Sequence, residues 1–336
     1  MSGSKSISQK RDWFVIIAPR GPLDIMLKSL MLLALVQVSV AEWKYAIDKK
    51  SCKDGMYDQV KFYVDQSQAQ SQRVVDALGP YLDDPNNKPD DRILAQMRQL
   101  FPSDGVPTAR LLHGIYKKVT QYAYQDVDIW ADEYRQGRDK GDLEIFCNAD
   151  HVVEDPNNPE KNIKWRDTAQ DLPVTDKDGI LSLKNPLSFT LAVTKDSRPI
   201  SREQPWPEHS PEYIAFHPRY MKKSTEKNSM LNHDRVEKAA YPSLWDKVKV
   251  KLPGLDFGAV DILATPELTM LHELTHLLAV ADAVDSEGRN SYGWLNCVRM
   301  KSFKNADSLA YFALVVDLIQ RYGYDVDDKG KLNKFS

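Results

Sequence analysis

The chain carries several stretches in which apolar residues recur with a helical period. Apolar side chains recur in this way through 56–79, 92–100 and 107–136, and each stretch predicts a helix. The segments between them are rich in Asp, Asn and Pro, which is typical of loops. Near the carboxyl end, 266–280 and 305–322 predict two further helices.

Two short apolar runs predict strands. Residues 143–147 and 212–216 are apolar along nearly their whole length and are too short for typical helices. Between them, residues 150–210 are dominated by Asp, Pro, Asn and Lys, and only the pieces near 180–183 and 188–193 are apolar. We therefore predict a long surface insertion at about 150–210.

Residues 26–41 have the organisation of a secretory signal peptide. Lys28 precedes an uninterrupted run of seven apolar residues, and the small residues Ser39 and Ala41 end the segment. A membrane-spanning helix needs about 20 apolar residues, so a stable membrane anchor is the weaker alternative. We expect translation to start at Met26, residues 1–25 to be a gene-model extension, and the mature protein to be secreted.

The composition indicates a globular domain. Of 336 residues, 42% are hydrophobic and 28% are charged, which is ordinary for a folded protein. The 45 basic and 48 acidic residues give a net charge of −3, which argues against a nucleic-acid partner. Three cysteines allow at most one internal disulfide. We predict one domain over 42–336, and expect it to be a monomer.

The predicted helix over 266–280 carries two histidines and a glutamate, His272, His276 and Glu273, at a spacing that is typical of zinc peptidases. His272, Glu273 and His276 form the pattern HExxH. Positions i and i+4 share one face of a helix, so the two histidines can present their imidazoles to one metal ion. Glu273 is then placed to reach a water at that ion. The alternative is a fortuitous pattern on an ordinary amphipathic helix.

The residues around the motif favour a helix. Thr265 is a suitable N-cap, Pro266 suits the first helical position, and Glu267 meets the positive end of the helix dipole. We expect an apolar stripe on the opposite face to contact the core, formed by Leu271, Leu274 and Leu278.

A catalytic zinc ion needs a third protein ligand. No histidine follows His276, which excludes the extended motif with a third histidine and leaves the downstream acids as candidates: Asp282, Asp285, Glu287, Asp307, Asp317 and those of the carboxyl-terminal tail. Asp285 lies nine residues after His276, where a turn can return its carboxylate to the metal. Asp282 is closer and could instead cap the helix end. The alternative for Asp285 is a solvated loop carboxylate.

Four sequence elements occur in an order that a known peptidase family shares. They are the HExxH motif at 272–276, Asp285, Tyr292-Gly293, and Asn305-Ala306-Asp307 followed by Tyr311-Phe312. This set resembles the deuterolysin and peptidyl-Lys metalloendopeptidases, the aspzincin zinc peptidases. The likeness covers most of the mature chain.

The resemblance implies a role for each element. One Zn²⁺ per chain would be held by His272, His276 and Asp285. Glu273 would be the general base, and Tyr292 would donate a hydrogen bond to the oxyanion. Asp307 would face the pocket for the residue after the scissile bond, and Cys52 would pair with Cys147. A packing role for Tyr292 and a helix N-cap role for Asp307 are the alternatives.

The chain also departs from the family pattern. The family's Gly-Thr before the ligand Asp is Ala281-Asp282 or Ala283-Val284 here, and Ala310 stands where the lysine-specific branch has a Glu. The segment between Asp285 and Tyr292 is longer than the family's. Cys297 has no obvious partner.

We expect an α+β fold of the zincin-like type, helical with a small, mostly antiparallel sheet against the HExxH helix. An edge strand near 212–217 would bind an extended protein or peptide substrate by strand addition. These expectations describe a secreted zinc endopeptidase. The alternative is a non-catalytic zinc-binding or surface-interaction protein on the same scaffold.

Overall fold

A computed structural model describes most of the predicted mature domain. The described residues are 43–139, 141–155, 165–174, 179–186, 188, 190–195, 211–226, 230–243, 258–285 and 288–335. The extension and signal peptide predicted over 1–41 lie outside these residues, as does part of the predicted insertion.

The first strand and three helices form the amino-terminal part of the fold. Strand β1 (Trp43–Ile47) leads into α1 (Met56–Asp83), α2 (Asp91–Leu100) and α3 (Val106–Val119). The sequence does not predict β1. Helix α1 continues past the predicted end at 79 and includes Pro80, because Tyr81 beyond the proline is still buried in the core.

The predicted helix over 107–136 is wrong as a single element. It divides into α3, strand β2 (Tyr122–Tyr124) and helix α4 (Asp132–Gly137). The Gln68 side chain donates hydrogen bonds to the carbonyls of Val119 and Tyr122, at 3.2 and 2.7 Å, where the helix gives way to the strand. The pairing of β2 with β1 overrides the helical period of the sequence.

Among the described residues, the main sheet has five strands. Besides β1 and β2 they are β3 (Leu143–Phe146), β7 (Ala192–Lys195) and β8 (Glu212–Phe216), in the order β2-β1-β3-β8-β7. Strands β2, β1, β3 and β8 are parallel, and only β7 is antiparallel to its neighbour. The expectation of a mostly antiparallel sheet is therefore wrong for this sheet.

The burial of the strands agrees with their parallel arrangement. Every residue of β3 and β8 is buried, so both faces of the sheet are covered, as is usual for parallel strands. Ile145 and Ile214 join the main helical core, whereas Phe146 and Tyr213 on the other face join a second apolar cluster. Parallel strands need long crossover connections, and the chain provides them through its helices and through the insertion.

The expected edge strand is also misplaced. Strand β8 lies between β3 and β7, so 212–216 is an inner strand. Among the described strands, the sheet ends at β2 on one side and at β7 on the other, and β7 lies within the predicted insertion.

The insertion is more than a surface loop. It contains a three-stranded antiparallel sheet of β4 (Val152–Glu154), β5 (Trp165–Asp167) and β6 (Leu172–Val174). Val152, Val174 and Ile180 are buried in the second apolar cluster with Phe146 and Tyr213. The insertion therefore covers the face of the main sheet that the amino-terminal helices leave open.

The carboxyl-terminal part contains five helices and a hairpin among its described residues. These are α5 (Pro218–Glu226), α6 (His233–Ala240), α7 (Pro266–His276), α8 (Trp294–Met300), α9 (Ala306–Asp317), β9 (Tyr324–Val326) and β10 (Leu332–Lys334). Helices α7 and α9 lie where the sequence predicts them, and both belong to the main core. Helix α9 continues into a π-helical turn, Leu318–Tyr322.

The end of α7 differs from the prediction. The helix stops at His276, and Leu277 adopts an extended backbone. Leu278, expected in the apolar stripe, is therefore exposed beyond the helix, while Leu271 and Leu274 are buried.

The disulfide that the resemblance implies is present. Cys52 and Cys147 form a disulfide with an S–S distance of 2.06 Å, and Cys297 is a free, buried thiol. Within the described part of the chain, none of the helices has the length and apolar character needed to cross a membrane.

Candidate metal centre

Helix α7 brings the residues of the HExxH motif to one buried site. The Thr265 hydroxyl accepts a hydrogen bond from the Leu268 amide at 3.4 Å, as expected of an N-cap. Pro266 occupies the first helical position. His272 and Glu273 are each 6% exposed, so their polar groups need partners inside the protein.

The two histidines face each other through one nitrogen each. Nδ1 of His272 lies 2.6 Å from Oδ1 of Asp307, and Nδ1 of His276 lies 2.8 Å from the Ala283 carbonyl oxygen. Both partners are acceptors, so each Nδ1 donates. The Nε2 atoms lie 3.0 Å apart. In the neutral rings each of these nitrogens carries a lone pair and no proton, so the two lone pairs face each other. A proton or a metal ion is needed between them.

The carboxylate of Asp285 lies beside the two histidines. Its Oδ1 lies 3.7 Å from Nε2 of His272, and its Oδ2 lies 3.6 Å from Nε2 of His276. Oδ1 is buried and has no hydrogen-bond partner, which is costly for a carboxylate oxygen unless a cation binds it. Among the described residues, these three side chains are the only group of His, Cys, Asp or Glu whose potential ligand atoms all lie within 4.8 Å of one another.

The turn that returns Asp285 is built without the family's Gly-Thr. The Ala283 amide donates to the Thr275 carbonyl at 3.0 Å, and the Val284 amide donates to the Lys304 carbonyl at 2.7 Å. Asp282 takes the left-handed backbone, at φ 50°, that the reversal requires. Buried Glu212 of β8 accepts a hydrogen bond from the Leu278 amide at 2.9 Å. Backbone pairing and a buried acid therefore hold the turn.

Asp307 lies behind His272. Its Oδ1 accepts from His272, and its Oδ2 accepts from the Gly293 amide at 2.7 Å. The N-cap alternative is wrong, because the N-cap of α9 is Asn305 and Asp307 lies inside the first turn. Both carboxylate oxygens are held by the protein, which is the contact expected of a carboxylate that orients a metal-binding histidine.

Glu273 has a partner that sequence reasoning missed. The Thr194 hydroxyl of β7 lies 2.6 Å from Oε2 of Glu273 and 3.1 Å from the Glu273 carbonyl oxygen. Thr194 lies 79 positions earlier in the chain, in a segment with no motif. Only the folding of β7 against α7 brings the two residues together.

Tyr292 reaches the site despite the longer segment before it. Its hydroxyl donates to Oδ2 of Asp285 at 2.6 Å, and its ring stacks on His272 with centroids 5.7 Å apart. The side chain is 39% exposed, so it lies at the solvent-facing rim. Partial burial and the adjacent charge of Asp285 raise its pKa, so the hydroxyl keeps its proton.

The charges around the site favour a cation. Burial lowers the pKa of His272, but the hydrogen bond to Asp307 and the charges of Asp307, Asp285 and Glu273 outweigh burial and raise it to about 10. Three carboxylates thus surround two imidazoles. Without a metal, the site is expected to retain a proton between the rings.

The donor set is compatible with zinc. Two His nitrogens and one carboxylate oxygen are common zinc ligands, and two ligand atoms of a tetrahedral zinc ion lie about 3.3 Å apart. The separations here are 3.0, 3.6 and 3.7 Å. Each histidine also has the Nδ1 acceptor that metal-binding histidines require.

No protein-family model, no curated protein and no solved structure matches the chain. The resemblance to the aspzincin peptidases thus remains a prediction based on the ordered sequence elements.

Proposed function

We propose that the protein is a secreted, zinc-dependent endopeptidase of the aspzincin type. The facing Nε2 atoms of His272 and His276, each fixed by a hydrogen bond at Nδ1, are the main support. The unpartnered Oδ1 of Asp285 beside them adds a third ligand. Such a constellation is costly in a protein that binds no cation.

His272, His276 and Asp285 would hold one Zn²⁺ and leave a position open for water or substrate. The ion supplies Lewis-acid activation when it is bound. Asp307 fixes the tautomer and the orientation of the His272 ring. The Ala283 carbonyl has the same role for His276.

Glu273 is the general base in this proposal. It precedes the proposed ligand His276 by three residues, and its charge acts on both His272 and Tyr292. The carboxylate accepts a proton from the attacking water and returns it to the leaving amine, so the peptide bond breaks with no net change at Glu273. The Tyr292 hydroxyl has a single proton, so it would turn from Oδ2 of Asp285 to donate a hydrogen bond to the developing oxyanion.

The surroundings suit a protein substrate outside the cell. Strand β7 is at the edge of the described sheet and packs beside α7, so an extended peptide alongside β7 would pass Glu273. The Cys52–Cys147 disulfide is compatible with an oxidising compartment.

The test is a cleavage assay on the full-length chain, purified as the producing cell processes it. We expect casein to be cleaved with one zinc ion per chain, and a chelator to abolish cleavage. Glu273→Gln should abolish cleavage and retain zinc. Glu237→Gln, at an exposed glutamate of α6, is the matched control and should behave as the wild type.

Two results would contradict the proposal. Cleavage that survives both the chelator and Glu273→Gln would come from another site or a contaminant. A protein that binds one zinc ion but cleaves neither casein nor a peptide library would favour the non-catalytic alternative.

A further inference from the structure

We infer that Thr194 is a positioning residue that fixes the carboxylate of Glu273 for proton transfer. The inference rests on the proposed function and extends it to a strand outside every sequence element that suggested that function. Among the described residues, the hydrogen bonds of the Thr194 hydroxyl go to Glu273, and none goes to a proposed metal ligand. It acts only through Glu273.

The hydrogen bond between the two side chains is short and directional. Oγ1 of Thr194 lies 2.6 Å from Oε2 of Glu273, whereas the backbone carbonyl of Glu273 is farther away at 3.1 Å. A hydroxyl has one proton, and a bond to a charged acceptor is stronger than a bond to a carbonyl. The proton therefore belongs to the bond with the carboxylate.

The position of Thr194 is set by the sheet. Thr194 pairs with Ile214 of the buried strand β8, and its neighbours Val193 and Lys195 pair with Ala215 and Tyr213. Threonine is branched at Cβ, so its χ1 angle has few accessible states. The hydroxyl is consequently held at a fixed place beside α7.

The contact distinguishes the two oxygens of Glu273. Oε2 is held by Thr194, and among the described residues no side chain or amide donates to Oε1. Oε1 is also not fully buried, unlike Oδ1 of Asp285. The structure thus assigns proton transfer to Oε1, while Oε2 serves as the anchor that stops the carboxylate from rotating.

A set of threonine variants tests the inference. Thr194→Val keeps the shape and removes the hydroxyl, and Thr194→Ser keeps the hydroxyl and removes the methyl group. For Thr194→Val we expect kcat to fall about 10- to 100-fold with KM within about twofold, because the general base loses its orientation but the substrate contacts remain. Thr194→Ser should retain kcat within about threefold.

Two further measurements separate positioning from folding. Zinc content and thermal midpoint should be the same in the wild type and in both variants. Thr120→Val is the matched control, because the Thr120 hydroxyl donates only to the Lys117 carbonyl at the end of α3. It should leave kcat and KM unchanged.

Three outcomes would overturn the inference. Equal kcat in the wild type and Thr194→Val would show that the hydroxyl does not matter. An equal loss in Thr194→Val and Thr194→Ser would show that the hydroxyl, which serine retains, is not what positions Glu273. A zinc-loaded wild type without peptidase activity would overturn the proposed function and the inference together, whereas the first two outcomes leave the proposed function intact.

Discussion

The carboxylate of Asp307 stands directly behind the imidazole of His272, with Oδ1 2.6 Å from Nδ1. The two residues lie on different helices, α9 and α7, which pack together in the main core. Asp307 is also held by the Gly293 amide at 2.7 Å. The orientation of one proposed ligand therefore depends on three separate segments of the chain.

This contact predicts that Asp307 controls metal affinity. Asp307→Asn keeps the size of the side chain and removes its charge, so the His272 ring loses a charged acceptor. We expect zinc affinity to fall about 10- to 100-fold, as is typical when a metal-binding histidine loses the carboxylate that orients its ring. Chelator competition measures the change. Asp328→Asn, at an exposed aspartate, should leave the affinity unaltered, and an equal affinity in both variants would refute the assigned role.

Local features of the site could be predicted from the sequence. His272, Glu273 and His276 are neighbours on one helix, so their spacing alone predicts that their side chains belong to one site. The N-cap Thr265 and the first-turn Pro266 have the same local origin. Asp285 could also be proposed as the third ligand, because a turn soon after the end of the helix can return its carboxylate to the two histidines.

The rest of the fold depends on contacts between distant segments. Thr194 is indistinguishable from any strand threonine until β7 is placed against α7. The direction of the main sheet was missed because β3 and β8 are short apolar runs, and such runs do not show whether their neighbours run parallel or antiparallel. The short β2 was missed because its pairing with β1 overrides a helical pattern.

Tyr292 gives a second prediction. Its hydroxyl donates to Asp285 at 2.6 Å and keeps its proton because its pKa is raised. Tyr292→Phe should retain one zinc ion per chain, because Asp285 itself is unchanged. We expect kcat to fall about 10- to 100-fold if the hydroxyl donates to the oxyanion.

Tyr241 provides the matched control for this variant. It is 74% exposed, and Tyr241→Phe should leave kcat unchanged. If Tyr292→Phe retains full activity, Tyr292 is a packing and rim residue, which was the alternative from the sequence.

The disulfide gives a third prediction. Cys52 and Cys147 are 95 positions apart, so their bond closes a long loop and restricts the unfolded chain. The double variant with serine at both positions should be less stable by about 4 to 5 kcal/mol, according to the loop-entropy relation. Denaturant unfolding measures the difference. A reductant should lower the stability of the wild type but not of the double variant, and a difference below about 1 kcal/mol would contradict the expectation.

The buried ring of His151 gives a prediction about acid stability that does not involve the metal centre. The ring stacks on Phe146 with centroids 4.0 Å apart and meets Tyr213 edge-on at 5.3 Å. Both ring nitrogens are buried without a hydrogen-bond partner. Burial lowers the pKa of His151 to about 4, because the charged ring would lose its hydration; nearby Asp48 opposes the shift, and Lys184 adds to it.

The sign of the pH effect follows from this depressed pKa. The unfolded chain binds a proton at His151 near the ordinary pKa of 6.5, and the folded protein does not bind one until about pH 4. The stability from the neutral ring is therefore fully present above pH 6.5. As the pH falls from 6.5 to about 4, the folded protein loses up to about 3 kcal/mol of this stability.

His151→Phe should remove this pH dependence, because an apolar ring suits a site between Phe146 and Tyr213 and does not titrate. Denaturant unfolding between pH 7 and pH 4 should show the variant losing about 2 to 3 kcal/mol less stability than the wild type. His233→Phe, at an exposed histidine that contacts Tyr322, is the control and should follow the wild-type curve. If the curves of His151→Phe and the wild type are parallel over this range, His151 is hydrated or hydrogen-bonded in solution, and the insertion does not seal this face of the sheet.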